Sequence, residues 1–298
     1  MEEFKEVLLV VNPISGDLNK DEMITTVQRM VATKGGETHI FETTGQNDKE
    51  KINKKVIEFA IDRVLVAGGD GTINLVAEAV KELDVILGVL PAGSANGLAF
   101  NLKIPRILKD QIDVALGRTN MHLDMLCLNN HICLHMSDLG INAELIQNYE
   151  NSDLRGKFGY LLQSIPTLIK SEFPFQFSIQ TENVQVEKEG ILLCFANAQK
   201  YGTGANINPT GKPNDGIFEI LIFKKFDIVK ILGTLRNEVE FDSDFVEVIP
   251  ATEAKIICKK PIAFQIDGEF IGKESEINIK ILPQKLQIAV PPSAIPEV

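Results

Sequence analysis

Three short glycine-containing turns each follow an apolar, strand-like run in the first hundred residues, and each precedes a helical pattern. The turns are Asn12–Gly16, Gly68–Thr72 and Gly93–Gly97. Strands that alternate with helices in this way predict a doubly wound α/β domain. Because loops at the carboxyl ends of parallel strands gather at one edge of the sheet, where ligands bind, we expect the three turns to lie together.

The character of the chain changes near residue 121, where strand-like runs become frequent and helical patterns become rare. A hairpin is predicted from Met121 to Ser137, and further strand-like runs continue as far as Val290. Helices are predicted here only from Gly156 to Lys170 and from Asp227 to about Leu235. We therefore predict an α/β domain at residues 1–122 and a mostly antiparallel β domain at residues 123–287, with a tail at about 288–298 that could return to the first domain.

The charge and composition of the chain exclude several classes of function. A net charge of −11 and a pI of about 5.0 would repel nucleic acid, and no block of basic residues opposes this. No apolar run approaches the roughly 20 residues that span a bilayer, the acidic start does not resemble a signal peptide, and the four cysteines match no zinc spacing. We expect a soluble, cytoplasmic protein that binds no nucleic acid, and an exposed sheet edge could pair two copies as a homodimer.

The turn Gly68-Gly69-Asp70-Gly71-Thr72 is the most specific chemical signal. Its glycines allow the backbone to approach a phosphate closely, and the helix that follows offers unpaired N–H groups. Asp70 would repel a phosphate unless a divalent cation lies between them, so the turn also indicates Mg²⁺. The alternative is a tight turn without a ligand, stabilised by the aspartate side chain. The chain contains neither the glycine pattern of dinucleotide-binding proteins nor a P-loop.

Several short motifs occur in the same order as in a known family, and together they cover nearly the whole chain. Asn12-Pro13-x-Ser15-Gly16, Gly68–Thr72 and Pro91-x-Gly93-Ser94-x-Asn96 resemble the diacylglycerol-kinase catalytic-domain family, which includes the sphingosine kinases and the bacterial lipid kinases. The resemblance continues at Leu139-Gly140 ahead of Ala143-Glu144, at Pro213–Gly216 and at Asp267–Glu269.

The family resemblance implies a two-domain fold and a nucleotide site. It implies a phosphofructokinase-like, doubly wound α/β domain that binds the nucleotide, an antiparallel β-sandwich second domain that takes the lipid, and ATP in the cleft between them. The residues that the resemblance assigns to the nucleotide site are Asn12, Pro13, Ser15, Gly16, Thr43 or Thr44, Val66, Ala67, Gly68, Gly69, Asp70, Gly71, Thr72, Gly93, Ser94 and Asn96.

The resemblance also assigns metal ligands in the second domain. Asp215, with the backbone at Lys212 and Ile217, resembles the metal-binding loop of the family. Asp124 matches an aspartate that joins a structural Mg²⁺ network with the equivalent of Asp70 in bacterial relatives. The alternative for Asp124 is an aspartate that faces solvent from a strand.

Three carboxylates are candidates for the catalytic base. Phosphoryl transfer needs a group that takes the proton from the attacking hydroxyl. Asp267 and Glu269 occupy the positions where the bacterial members place this base, whereas Asp70 is the usual candidate in the sphingosine-kinase branch. Without the family resemblance, Asp267-Gly268-Glu269 is better explained as a hairpin turn between strands.

Two positions depart from the diacylglycerol-kinase branch. Gly97 stands where that branch has an aspartate, and Phe100 stands where an arginine is common. The missing aspartate puts the structural Mg²⁺ network in doubt, and the small residue resembles the sphingosine-kinase branch. Glu144 roughly matches an acid that this branch keeps for the polar head of its lipid; the alternative is a glutamate that faces solvent on the first turn of a helix.

These observations predict a lipid kinase of phospholipid metabolism that uses ATP and Mg²⁺. It would transfer the γ-phosphate to the hydroxyl of a diacylglycerol-like or sphingoid-base-like lipid at the membrane surface, and would be peripheral to the membrane during turnover. One alternative is a NAD kinase on the same scaffold, although Ile73-Asn74-Leu75 lacks the Asn-Glu pair of such enzymes. The other is a non-catalytic sensor of nucleotide or lipid, against which the retained acidic residues argue.

Overall fold

The chain forms two units, which are described separately. The computed structural model describes residues 5–16, 19–93, 96–150, 174–201, 205–225, 227 and 243–295. Contacts group Met1–Leu123 with Gln284–Val298 as one unit, here called the α/β unit, and Asp124–Pro283 as the other, here called the β unit. The helix predicted at 156–170 lies outside the described residues, as does the helix predicted from Asp227 beyond its first residue.

The α/β unit alternates strands with helices, as its sequence predicts. Its elements are β1 (Glu6–Val11), α1 (Lys20–Thr33), β2 (Glu37–Glu42), α2 (Asp48–Glu58), β3 (Arg63–Gly68), α3 (Asp70–Val80), β4 (Ile86–Pro91), α4 (Gly97–Asn101) and α5 (Leu108–Ala115). The strands pair in parallel in the order β2-β1-β3-β4. All six residues of β3 are buried, which agrees with its unbroken apolar sequence.

The glycine turn after β3 is partly helical. The apolar stripe starts at Ile73, which is why the sequence predicts a helix after Thr72. In the structure α3 already begins at Asp70, and Gly69 is its N-cap with extended backbone. An acidic residue in the first turn is favoured because it lies at the positive end of the helix dipole.

The β unit is an antiparallel assembly with one described helix. Its elements are β5 (Asn120–Leu128, which begins in the α/β unit), β6 (His131–Cys133), β7 (Met136–Gly140), α6 (Ile141–Glu150), β8 (Phe175–Thr181), β9 (Gln185–Gly190), β10 (Leu192–Ala196), β11 (Lys200–Tyr201), β12 (Ala205–Asn206), β13 (Phe218–Phe223), β14 (Val246–Ala251), β15 (Glu253–Ile266) and β16 (Glu269–Ala289). The fold class expected from the sequence, an α/β domain followed by an antiparallel β domain, is confirmed.

The main sheet of the β unit has the strand order β14-β13-β10-β7-β15-β16, and β8 and β9 extend it from β15. Its core contains four phenylalanine side chains that are at most 1% exposed: Phe177, Phe195, Phe218 and Phe264. The end of β16 leaves this unit and pairs in parallel with β4, with Gln287 opposite Ile86. A 3₁₀ turn at Pro292–Ala294 follows.

No helix in the described part of the chain combines the length and apolar character needed to cross a bilayer.

The hairpin predicted from Met121 to Ser137 is correct in its first arm and wrong in its second. β5 pairs with β6, but the second arm breaks after Cys133 and resumes as β7, which pairs with β10 and β15. The break occurs because the backbone N–H groups of Leu134, His135 and Met136 donate to the side chain of Asp267. A distant carboxylate thus replaces the strand partner at these residues.

Candidate functional site

The three glycine-containing turns meet at the carboxyl edge of the parallel sheet. The Asn12 side chain donates from Nδ2 to Thr72 Oγ1 at 3.1 Å, which joins the first turn to the second. The Ser15 hydroxyl donates to the carbonyl oxygen of Ala92 at 3.1 Å, which joins the first turn to the third. Side chains that the sequence assigns to a nucleotide site therefore hold the turns to one another.

Two glycines of these turns, Gly16 and Gly93, are packed too closely against backbone to carry a side chain. A Cβ atom added to Gly93 would lie 2.5 Å from the Cα atom of Gly69. A Cβ atom on Gly16, whose φ is +58°, would lie 2.1 Å from the carbonyl oxygen of Ala92. The described backbone at Gly16, Gly69 and Gly93 is thus closely packed, as expected where backbone N–H groups must approach a phosphate.

The carboxylate of Asp70 accepts hydrogen bonds from within the α/β unit. Its Oδ2 accepts a hydrogen bond from the backbone N–H of Gly97 at 2.8 Å, and its Oδ1 accepts one from Leu98 at 3.1 Å. Both donors are at the start of α4, where backbone N–H groups lack partners within the helix. Two neutral backbone amides therefore stabilise the carboxylate of Asp70 and leave its negative charge in place.

The third turn is stabilised by its own asparagine. Asn96 has a left-handed backbone with φ of +57°. Its Oδ1 accepts a hydrogen bond from Gly93 N–H at 2.9 Å and its Nδ2 donates to Gly93 O at 2.7 Å. The side chain of Asn96 therefore shapes the turn. Ser94, which the resemblance assigns to the nucleotide site, lies outside the described residues.

The two threonines after β2 bond to different elements. Thr43 donates its backbone N–H to Val11 O at 2.9 Å, in line with the parallel sheet. The backbone N–H and the hydroxyl of Thr44 both donate to the carboxylate of Asp48, each at 2.9 Å. Although burial raises the pKa of Asp48, hydrogen bonds from Thr44 and Gly45 hold it below its usual value.

The other residues assigned to the nucleotide site differ in exposure. Val66, Ala67 and Gly68 are buried within β3. Pro13 is exposed, Gly71 is half-buried in the first turn of α3, and Thr72 is 8% exposed.

In the β unit, Asp124 is bound to the loop that carries Asp215. The backbone N–H of Asp124 donates to Pro213 O at 2.8 Å, and its Oδ2 accepts from Gly216 N–H at 2.7 Å. Asp124 is fully buried, so the alternative that it faces solvent is wrong. Asp215 is exposed, and its Oδ1 accepts a hydrogen bond from Ile217 N–H at 3.2 Å.

The turn at Asp267–Glu269 is anchored by a buried carboxylate. Asp267 is buried and has a left-handed backbone with φ of +48°. Its Oδ2 accepts from Leu134 N–H at 2.8 Å, and its Oδ1 accepts from the backbone N–H groups of His135 and Met136, both at 3.1 Å. The His135 ring contacts the same Oδ1 through Nδ1 at 2.8 Å.

The two carboxylates of this turn have different surroundings. Burial alone would raise the pKa of Asp267, but the His135 ring and the backbone N–H groups of Leu134 and Met136 lower it to about 2. Glu269, two residues later, begins β16 and is exposed. The structure therefore separates an anchoring acid from an accessible one.

A second buried carboxylate, Asp138, is connected to the same turn through Gln265. Gln265 Nε2 donates to Asp138 Oδ2 at 2.5 Å, while Gln265 Oε1 accepts from Gly268 N–H at 2.8 Å. Asn142 Nδ2 also donates to Asp138 Oδ2, at 2.6 Å. Burial raises the pKa of Asp138 to about 7, despite the hydrogen bonds from Asn142 and Gln265.

Sequence reasoning missed four buried polar residues around this turn: His135, Asp138, Asn197 and Gln265. The available signal was a polar residue inside an apolar strand-like run, as in Met136-Ser137-Asp138-Leu139-Gly140. Asn197, which is fully buried, donates from Nδ2 to the carbonyl oxygens of Asp124 and Leu134 at 2.8 and 3.0 Å. It therefore ties Asp124 to the segment that anchors Asp267.

Two further site predictions concern the acceptor and the metal. Glu144 lies in the first turn of α6 and is half-buried. Within the described ranges, no three or more His, Cys, Asp and Glu side chains come together as they would in a metal site built mainly from side chains.

Two family models match the chain, one for each part of the fold. Residues 6–128 match the diacylglycerol kinase catalytic domain, and residues 137–290 match the YegS C-terminal domain, described as a NAD kinase beta sandwich-like domain. The protein is therefore a kinase of the diacylglycerol-kinase catalytic family. Its architecture within that family is the two-domain YegS type, and membership implies ATP as the phosphate donor.

Relatives and solved structures match over almost the whole length. The chain is 25% identical to the probable lipid kinase YegS of Salmonella typhimurium and 27% identical to that of Escherichia coli, and each match covers 98% of both chains. A crystal structure of a candidate diacylglycerol kinase from Bacillus anthracis has a TM-score of 0.82, 20% identity and 99% coverage of both chains. A diacylglycerol kinase structure from the same organism has a TM-score of 0.77 at 20% identity, with 99% and 100% coverage. The structural matches establish the fold.

Proposed function

We propose that the protein is an ATP-dependent lipid kinase that transfers the γ-phosphate of ATP to a lipid hydroxyl. The observation that carries the proposal is the close packing of Gly69 on Gly93, where a single Cβ atom would collide with backbone. Such packing brings the backbones at Gly69 and Gly93 together with no side chain between them. The family supplies the reaction class, and the names of the YegS relatives favour a lipid as the acceptor.

The α/β unit would take the phosphates of ATP. The N-terminus of α3 presents backbone N–H groups beside the packed turns, and a helix N-terminus favours negative charge. Both oxygens of Asp70 accept amides of α4, so its carboxylate is directed towards that helix, and Mg²⁺ bound with ATP would offset its charge. Phosphoryl transfer depends mainly on positioning and charge neutralisation, so a rigid backbone surface of this kind suits it.

The loop at Asp215 fits a Mg²⁺ ion held by few protein ligands. Mg²⁺ prefers oxygen ligands, keeps several waters, and is usually held by one or two carboxylates together with substrate phosphates. Asp215 is exposed, and its hydrogen bond to Ile217 uses one of two carboxylate oxygens. We propose that Asp215 and the carbonyls of Lys212 and Ile217 hold the ion, which would neutralise phosphate charge, while Asp124 shapes the loop.

Among the three candidate bases, Glu269 suits the reaction best. The carboxylate of Asp267 is buried, accepts backbone and ring hydrogen bonds, and has a pKa lowered to about 2, which makes it a weak base. Both oxygens of Asp70 accept backbone amides. Glu269 is exposed and stands in a turn whose position Asp267 controls. We propose that Glu269 takes the proton of the attacking hydroxyl.

The acceptor would be a long-chain lipid alcohol that the protein meets at the membrane surface. Gly97, which favours the sphingosine-kinase pattern, and Glu144, half-buried at the start of α6, point to an acceptor whose polar head carries an amino group as well as a hydroxyl. The YegS relatives favour a lipid acceptor without naming which one. Diacylglycerol and a sphingoid base are therefore the two acceptors to compare.

A NAD kinase is the second candidate, because residues 137–290 match a domain described as NAD kinase-like. The decisive experiment incubates the protein with radiolabelled ATP and Mg²⁺, offering diacylglycerol, a sphingoid base or NAD in separate reactions. We expect label in a lipid phosphate and none in NAD. Label in NAD alone would contradict the lipid proposal, and label in no product would contradict both kinase assignments.

A further inference from the structure

The turn that carries Glu269 is held from two sides by buried side chains. Asp267 and Gly268 both have left-handed backbones, with φ of +48° and +91°. Asp267 is secured through its carboxylate by residues 134–136. Gly268 is secured through its backbone N–H, which donates to Gln265 Oε1 at 2.8 Å. The position of Glu269 therefore depends on Gln265 as well as on Asp267.

The hydrogen bond to Gly268 requires one orientation of the Gln265 amide. A glutamine amide has a donor end and an acceptor end of nearly equal size, so its neighbours decide which way it points. Gly268 N–H needs the oxygen end. If the amide rotated by half a turn, two donors would face each other and the turn would lose its support.

Asp138 selects the correct orientation. Asp138 Oδ2 accepts from the Asn142 amide as well as from Gln265 Nε2, so it acts as an acceptor and holds the Nε2 end of Gln265 towards itself, at 2.5 Å. This leaves Oε1 for Gly268. Gln265 is fully buried and Asp138 is 1% exposed, so water does not compete for either group. Two hydrogen bonds therefore connect Asp138 through Gln265 to the turn.

We propose that Asp138 is a positioning residue for phosphoryl transfer, which orients Gln265 so that the Asp267–Glu269 turn presents Glu269 to the acceptor hydroxyl. This inference rests on the proposed lipid-kinase function and on Glu269 as its base. Asp138 itself touches neither reactant. Replacing Asp138 should lower the rate only by disturbing Gln265. A general role of Asp138 in stability would not depend on Gln265 in this way.

An alternative is that Asp138 only stabilises the start of α6. It lies just before that helix and accepts a hydrogen bond from the Asn142 side chain. If Asp138 served only the helix, loss of the Asn142 contact would matter as much as loss of the Gln265 contact. Asn142→Leu removes the first contact and leaves the second. It is therefore the matched control for substitutions at Gln265.

The test is a double-mutant cycle of kcat with the lipid acceptor that the wild type uses best. We expect Gln265→Leu to lower kcat about a hundredfold and Asp138→Leu about tenfold, with KM for ATP within about twofold, because a displaced base affects chemistry rather than nucleotide binding. The double variant should be no slower than Gln265→Leu. Asp138→Asn, which keeps an oxygen for Gln265, should recover most of the activity, and Asn142→Leu should stay within about twofold of wild type.

Hydrogen exchange of the Gly268 amide tests the same inference without any kinase assay. Gln265→Leu and Asp138→Leu should both accelerate its exchange, and Asn142→Leu should not. Multiplicative losses of kcat in the double variant, or unchanged Gly268 exchange in Asp138→Leu, would overturn the role of Asp138. A wild type that phosphorylates no lipid would instead contradict the proposed function, and the exchange experiment would still decide whether Asp138 orients the turn.

Discussion

The turns of the α/β unit and the Asp267–Glu269 turn of the β unit both combine glycine with an acid, but they are held in opposite ways. In the α/β unit the glycines are required by space, since a Cβ atom on Gly93 would lie 2.5 Å from Gly69. In the β unit nothing lies within 4 Å of a Cβ atom on Gly268, whose φ is +91°. There a buried carboxylate holds the turn and glycine only relieves backbone strain.

This difference separates two functions. A surface that binds phosphate through its backbone needs turns whose backbones are held in a fixed arrangement, which close packing provides. A turn that presents a catalytic side chain needs firm support behind it and access in front. The buried Asp267 and the exposed Glu269 divide these two requirements between neighbouring residues.

The largest effect is expected for Gly93→Ala. The added methyl group must separate the turn from Gly69, so we expect the affinity for ATP to fall about a thousandfold, which corresponds to about 4 kcal/mol. Isothermal titration calorimetry with ATP and Mg²⁺ measures this, and circular dichroism checks that the variant is folded. A Kd equal to that of the wild type would show that close packing of the turns is not required.

The second-largest effect is expected for Asp267→Asn, which alters the buried carboxylate that holds the turn of the β unit. Asp267→Asn places an NH₂ group among the backbone donors of residues 134–136, so we expect the free energy of unfolding to fall by about 3 kcal/mol. Chemical denaturation at neutral pH measures the loss. Asp215→Asn, which changes an exposed carboxylate of the same unit, is the control and should leave stability within about 0.5 kcal/mol. Equal effects of the two substitutions would argue against an anchoring role for Asp267.

The lowered pKa of Asp267 also predicts that the stability of the protein depends on pH. The pKa of Asp267 is lowered from 3.8 to about 2, so its contribution is complete above about pH 4 and disappears as the pH falls through about 2. The advantage of wild type over Asp267→Asn should therefore shrink by about 2 kcal/mol on going from about pH 5 to about pH 2. Denaturation curves of both proteins across this range measure the difference. A constant difference would mean that the charge of Asp267 does not stabilise the turn.

The smallest effect is expected for Gly268→Ala. The site is open but its backbone is left-handed, so the substitution should destabilise the protein by only about 1 kcal/mol. The affinity for ATP should stay within about twofold of wild type, which also makes this variant the control for Gly93→Ala. A large loss of ATP affinity would remove the distinction between the two kinds of turn.

Local patterns are enough to predict the α/β unit and its turns, because there apolar strands, amphipathic helices and glycines are close in sequence. They do not predict the break at Leu134, because its cause, Asp267, is more than a hundred residues away. Nor do they predict β9, whose sequence Gln185-Val186-Glu187-Lys188-Glu189-Gly190 is mostly polar and becomes a strand through pairing with β8.

The candidate site shows the same limit. Ordered motifs identify Asp70, Asp267 and Glu269 as candidate catalytic acids. Only the structure shows that the carboxylates of Asp70 and Asp267 accept backbone hydrogen bonds. The sequence marks Asp138 as a polar residue inside an apolar run, but its pairing with Gln265 cannot be predicted, because the two residues are 127 positions apart. Only the structure shows that both side chains are buried and bonded to each other.

The most direct test of the account compares Glu269→Gln with wild type in the lipid phosphorylation assay. The account predicts that Glu269→Gln binds ATP with unchanged Kd, unfolds at the same denaturant concentration, and loses about a thousandfold in kcat, because a general base contributes about 10²–10⁴-fold. A Glu269→Gln variant that phosphorylates the lipid at the wild-type rate would contradict the assignment of Glu269 as the base.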